Sequence, residues 1–399
     1  MGFKKYLQSY LPILLVLLGL SYTFYRLSTA RPDALSSDPH YVLDAQSYWE
    51  GARSMIERGD YLYTKNIYHS PGAQAFTSWI FRLSSQSSPM IVRYFNFAGF
   101  TFLLLLMFFI LEQYFSRTSV LWALAFAALS PFWRGYLGTI QYEIWLCLIF
   151  TTAFYFLITP RWKSTWSKLA VISLCLALSF LVRYHFILLL PFLVLSLESR
   201  REKFLLSAMG LFLISIIAGA YLLEGVDLRM LQENSHAQLR WLTPASQGYN
   251  YPYPDHLPPA GWHYLIDHPF HYLYQLVRRF LYLFGVISDG YPNTTLLIQI
   301  LFPIIKLDWR VLSNLVAGVV LLLGLWHAQK NYFKLFKIYL SLSLTIYLPI
   351  LIVGATQRFL LPLYGIHYLF LGFGLMEAKG LCLKFRQHSL RSDKKIIDP

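Results

Sequence analysis

The sequence predicts an all-α polytopic membrane protein, a bundle of about ten to twelve transmembrane helices with amphipathic interfacial helices in its first outer loop. Composition is the first reason: 56% of the 399 residues are hydrophobic, 18% are aromatic and only 14% are charged, which leaves no material for a soluble surface. The second is that apolar runs of the length a helix needs to cross hydrocarbon recur from near residue 8 to near residue 376. The third is charge: a net +14 is spread between these runs rather than gathered on one polar face, as expected for membrane topology and not for nucleic-acid binding. Residues 1–376 form one integral membrane domain and 377–399 a basic tail.

The first run, Tyr6 to Leu27 behind Lys4 and Lys5, is too long for a signal peptide and reads as a retained helix near 6–28. Further spans fall near 92–113, 118–134, 139–158, 168–182, 185–198, 203–223, 309–327, 336–353 and 358–376. With the N-terminus inside, the inner segments carry Arg117, Arg161 with Lys163 and Lys168, Arg200 with Arg201 and Lys203, Lys330 with Lys334 and Lys337, and the tail. Every inner turn is then basic, and both termini are cytoplasmic. The short outer turns hold single arginines, Arg134, Arg183 and Arg358. Two long segments, about 29–90 and 224–308, also lie outside. Within the second, Phe270 to Val286 and Thr295 to Ile305 are apolar enough to add a helical pair without changing the orientation. Cys147 and Cys175 fall in apolar helices and Cys382 in the tail, so none is placed for an external disulfide.

In the first outer loop, Ala45, Tyr48, Trp49, Ala52, Met55 and Ile56 recur at helical spacing between polar positions, which predicts an amphipathic helix over Asp44–Arg58. Asp44 stands at its start, either as a cap or as a chemical group. Gly59-Asp60-Tyr61 then turns the chain, and Ser70-Pro71 opens a second helix over Gly72–Leu83. A helix N-terminus flanked by Lys65 and His69 suits an anion such as phosphate, although an ordinary surface turn has the same pattern. The segment Gly248–His263 is rich in Tyr, Pro and Trp, the make-up of a lid or a sugar-stacking loop. Its histidines, with His268 and His271, lack metal-ligand spacing; Asp255 and Asp267 have the chemistry to hold a divalent cation, but nothing requires one.

These residues resemble the GT-C superfamily of membrane glycosyltransferases, in particular bacterial members related to protein O-mannosyltransferases and the lipid A aminoarabinose transferase. The likeness rests on Asp44-x-x-x-Tyr48-x-x-x-Ala52 after the first span, the Gly-Asp-Tyr-Leu-Tyr turn, and Ser-Pro opening a helix that ends Phe-Arg-Leu. It continues in Gln141-Tyr142-Glu143, Leu181-Val182-Arg183-Tyr184, His268-Pro269 and Gln357-Arg358-Phe359-Leu360-Leu361-Pro362. It therefore spans most of the chain, through short motifs. The chain departs from its relatives in reading His69-Ser70-Pro71 where they often have Lys-Pro-Pro or Glu-Lys-Pro, and Ala45 where many have a second acidic residue.

The resemblance implies an inverting glycosyltransferase of the bacterial inner membrane, moving a sugar from a polyprenyl-phosphate donor to an acceptor hydroxyl on a glycan, lipid or protein. Such transfer needs a base for the acceptor proton and cations for the leaving phosphate. Asp44 is the expected base, Tyr48 its positioning partner, and Lys65 or His69 the basic residue nearest the phosphate. Arg183 and Arg358, with Arg134 beside them, are the expected phosphate holders, unless they only reach to lipid headgroups. Glu143 either orients the acceptor or favours its helix dipole. No P-loop, Rossmann glycine pattern or nucleophile elbow occurs, so a nucleotide-sugar donor is not expected. The alternatives are a flippase for lipid-linked sugars and an O-antigen ligase or polymerase.

Overall fold

The computed structural model describes residues 3–31, 33–36, 42–59, 71–159, 165–223, 309–353 and 361–397, together with Pro269, Phe270, Leu273 and Val277. Every regular element in these stretches is helical. In chain order they are α1 (Phe3–Thr29), α2 (Val42–Glu57), α3 (Pro71–Ser84), α4 (Pro89–Leu111), α5 (Arg117–Leu129), α6 (Pro131–Leu137), α7 (Glu143–Ile158) and α8 (Thr165–Val182). A 3-10 turn (Tyr184–Leu188) then leads into α9 (Leu189–Ser196), followed by α10 (Arg200–Leu223), α11 (Trp309–Asn331), α12 (Phe333–Val353) and α13 (Leu361–Ile397).

Four of these helices are long and apolar enough to cross a membrane, over Tyr10–Thr29, Pro89–Leu111, Thr165–Val182 and Arg200–Gly219. Their burial separates their roles. The α4 and α8 windows are 44% and 50% buried, whereas those of α1 and α10 are 22% and 17% buried. The outer pair accordingly exposes Leu14, Leu17 and Leu18 on α1 and Phe204, Phe212 and Ile216 on α10, an apolar surface suited to a lipid surround. With three shorter apolar helices, this is the make-up of a helical membrane protein.

Local chemistry sets the helix limits. Ser88 accepts from the Met90 N–H and Pro89 opens the first turn of α4; Ser116 caps α5 in the same way through the Ser119 N–H. Several limits differ from the sequence expectation, two of them markedly. The span expected over 118–134 breaks at Ser130, whose backbone is extended at φ −60° and ψ 125°, because Pro131 excludes its predecessor from the helical region; α6 starts afresh there. The helix expected to end near residue 376 instead continues as α13 without interruption to Ile397, through the basic tail. Its 37 residues make a rod about 55 Å long, well beyond the thickness of a hydrocarbon layer.

The core lies where α7 packs against α4, α8 and α13, and α13 against α11. Phe150, Phe154, Phe370, Phe373, Leu103 and Met107 fill it. The crossing of α11 and α13 is close: a Cβ at Gly324 would overlap the Phe370 carbonyl, and one at Gly374 the Val320 carbonyl. Where those two helices run on together, His327 Nδ1 and Glu377 Oε2 lie 2.8 Å apart and the His327 ring stacks on Phe373. The opposite end, where α1 and α8 finish and α4 and α7 begin, carries the polar structure.

Candidate functional site

Between α6 and α7 the chain makes a tight turn that presents Gln141, Tyr142 and Glu143, and this turn is braced from two sides. Arg93, one turn into α4 and 1% exposed, donates from Nε to the Gly138 carbonyl at 3.2 Å and from Nη1 to the Arg31 carbonyl at 3.0 Å; its Nη2 bonds the Ala34 carbonyl. Asn96, one turn further, donates to the Thr139 carbonyl at 3.0 Å and accepts from Trp145 Nε1 at 3.2 Å. From the chain leaving α1, the Leu35 carbonyl accepts from the Ile140 N–H at 3.0 Å and the Ser36 hydroxyl meets that of Thr139 at 2.9 Å. Buried carbonyls at a helix connection need donors, and a guanidinium with its fork of N–H groups satisfies three of them at once.

On this braced turn stands a chain of four side chains. Arg183, just past the end of α8, donates from Nε to the Tyr142 hydroxyl at 2.8 Å and from Nη2 to Glu143 Oε1 at 3.2 Å. Its guanidinium carbon lies 5.2 Å from the Tyr142 ring centroid. Tyr48, from α2, donates to the same Tyr142 hydroxyl at 3.0 Å and meets its ring edge-on at 5.2 Å and 76°. The side chains of Arg183 and Glu143 are 14% and 2% exposed, so the two charges face each other largely out of solvent. In such a buried pair, attraction and hydrogen bonds between the partners offset the cost of taking each charge out of water.

The remaining wall is α3. Gly72 in its first turn lies against the last turn of α8, where a Cβ would overlap the Leu181 carbonyl; Gln74, 1% exposed, packs against Gly51 of α2. The two first-loop helices are thus held on the residues that precede Arg183. Trp49 and Arg53 lie on another face of α2, with the Arg53 guanidinium 4.9 Å from the Trp49 ring and 2.7 Å from Glu57.

Of the residues expected at a site, Tyr48, Glu143 and Arg183 meet here, from three elements up to 135 positions apart by number (183 − 48). Asp44 lies in the first turn of α2, one helical turn before Tyr48, and Arg134 lies in α6; their side chains are outside the described residues. Lys65, His69 and Arg358 are outside them altogether, as is the aromatic segment 248–263. Pro269 and Phe270, which follow His268, are helical, and Phe270, Leu273 and Val277 are exposed at spacings that share one face. Among the described residues, no three His, Cys, Asp or Glu side chains gather to hold a metal ion. Cys147 and Cys175 are buried free thiols.

Three participants were not singled out by sequence: Tyr142, Arg93 and Asn96. Tyr142 lies inside the Gln141-Tyr142-Glu143 motif, but its hydroxyl becomes central only once α2 and α8 converge on it. Comparison with protein-family models, with curated proteins and with solved structures finds no match. Fold and site together define a class and no more: a helical membrane protein with a charge-paired, aromatic polar centre at one end of its helices.

Proposed function

We propose that this protein is a polytopic GT-C-like glycosyltransferase of about ten to twelve spans that transfers a sugar from a polyprenyl-phosphate donor to an acceptor hydroxyl on the extracytoplasmic face, with inversion. The observation that carries the reading is the hydrogen-bonded chain Tyr48–Tyr142–Arg183–Glu143, which joins the helix following the first span to the start of α7 and the end of α8. A transfer site needs rigid placement of a base and a leaving-group cation relative to each other, and this chain supplies a rigid support for α2. On this reading Asp44, one turn from the fixed Tyr48, takes the acceptor proton. Arg183 supplies positive charge whose orientation is set by Glu143 and Tyr142, while Arg134, Arg358 and either Lys65 or His69 complete the cover of the donor phosphate. On this reading the protein lies in the inner membrane of a bacterium, with this end of the bundle outside and both termini in the cytoplasm, an orientation that the basic inner turns favour.

The test is chemical. Envelope glycolipids and glycans of a strain lacking the protein are compared by mass spectrometry with those of the same strain complemented by the wild type or by Asp44→Asn. The reading expects a glycan species that loses one sugar on deletion, regains it with the wild type and does not regain it with Asp44→Asn. An unchanged glycan profile in the deletion strain overturns it.

A further inference from the structure

The turn that carries Tyr142 and Glu143 also holds hydrogen-bonding capacity that the protein does not use. Gln141 is 6% exposed, and its carboxamide is the one side chain among the described residues in which both a buried donor atom and a buried acceptor atom have no partner. Two residues on, Glu143 commits Oε1 to Arg183, while Oε2 is buried and unpartnered. Tyr142, between them, makes no side-chain hydrogen bond to cap α7. Buried amides and carboxylates without a protein partner are rare and are met by ordered water or by a ligand; two such groups within three residues, beside the charge-paired centre, point to a ligand.

The pattern of unmet atoms identifies the ligand's chemistry. Glu143 Oε2 carries negative charge and Gln141 none, so an anion placed against these two groups would meet a buried carboxylate rather than a cation. What remains unmet is one carboxylate oxygen and one amide oxygen, which both require donors, and one amide NH2, which requires acceptors. Neighbouring hydroxyls of a neutral sugar ring supply both kinds. We infer that Gln141 and Glu143 Oε2 bind vicinal hydroxyls of a pyranose, which makes Gln141 a determinant of sugar specificity rather than a phosphate contact. This rests on the proposed glycosyl transfer and leaves open to measurement whether the ring is that of the donor or of the acceptor.

The experiment uses the full-length protein in lipid nanodiscs and compares the wild type with Gln141→Leu, a change of similar volume. Binding is measured for undecaprenyl phosphate, for undecaprenyl phosphates bearing glucose, mannose, N-acetylglucosamine or aminoarabinose, and for the matching methyl glycosides. The wild type is expected to bind at least one sugar-bearing lipid, or one glycoside, about tenfold or more tightly than Gln141→Leu does. Undecaprenyl phosphate itself should bind both proteins equally. Loss confined to the sugar lipids assigns the ring to the donor, and loss confined to glycosides assigns it to the acceptor. The melting temperature of Gln141→Leu should equal or exceed that of the wild type, since the change removes an unsatisfied buried amide. A lowered melting temperature, or equal sugar binding by the two proteins, overturns the inference. If the wild type binds undecaprenyl phosphate with and without sugar equally and binds no glycoside, the sugar site falls while the lipid-carrier reading stands. Failure to bind any of these lipids overturns that reading instead, and glycoside binding that depends on Gln141 would then still support the sugar site.

Discussion

Arg183 and Glu143 meet at 3.2 Å where α8 ends and α7 begins, each the other's charge partner in a setting nearly closed to solvent. Removing one partner of such a pair leaves an uncompensated charge, whereas removing both leaves little penalty. Arg183→Met is therefore expected to destabilise the protein by about 3–5 kcal/mol, and Arg183→Met with Glu143→Leu by much less. Thermal unfolding of the purified proteins in one detergent checks this. A double variant as unstable as the single one would show that the pair is not coupled.

The Tyr142 hydroxyl accepts from both Arg183 and Tyr48. Tyr142→Phe should lose about 1–3 kcal/mol, since two buried donors lose their acceptor, and Tyr48→Phe about 1 kcal/mol. In a double-mutant cycle the two losses should fall short of additivity by at least about 0.5 kcal/mol. Strict additivity would mean the two tyrosines act independently.

Arg93 holds three carbonyls from two separate segments. Arg93→Met strands all three and is expected to lower stability by several kcal/mol, at about 1–3 kcal/mol for each buried group left unpaired. Limited proteolysis should then cut more readily at the connection between α1 and α2. Arg93→Lys, with its single ammonium, should restore only part of the loss. Wild-type protease resistance in Arg93→Met would contradict the bracing role.

Gly72 lies against the Leu181 carbonyl, whereas a Cβ at Gly135 meets nothing within 4 Å. Gly72→Val should cost about 1–3 kcal/mol as α3 is pushed from α8, and Gly135→Ala should be neutral or mildly stabilising. Melting temperatures of the pair decide it; equal values would remove the close packing of α3 on α8.

Much of the helical plan was readable in the sequence because apolar period and punctuation agree. The first-loop helix expected over Asp44–Arg58 forms over Val42–Glu57, and the one expected over Gly72–Leu83 forms over Pro71–Ser84. The misjudged limits have local causes. Pro131 ends a helix that hydropathy alone would carry through to Arg134, and no proline stops α13 before Pro399, so helix-forming charged residues extend it past the apolar stretch. The site was less readable. Tyr48, Glu143 and Arg183 each belong to a short motif, but nothing in their spacing states that they touch, since contact depends on how α2, α7 and α8 converge. Arg93 was hidden for another reason: a cation one turn into an apolar helix has the same pattern whether it reaches to headgroups or turns inward to carbonyls.

The most direct test of the account is sugar transfer by the purified protein in nanodiscs from labelled polyprenyl phosphosugars to acceptors extracted from the deletion strain. The account predicts label in the acceptor with the wild type, loss of at least about a hundredfold with Asp44→Asn at unchanged donor binding, and an acceptor linkage inverted relative to the donor. Transfer by Asp44→Asn at the wild-type rate, or no transfer from any polyprenyl phosphosugar by wild-type protein that binds them, would contradict it.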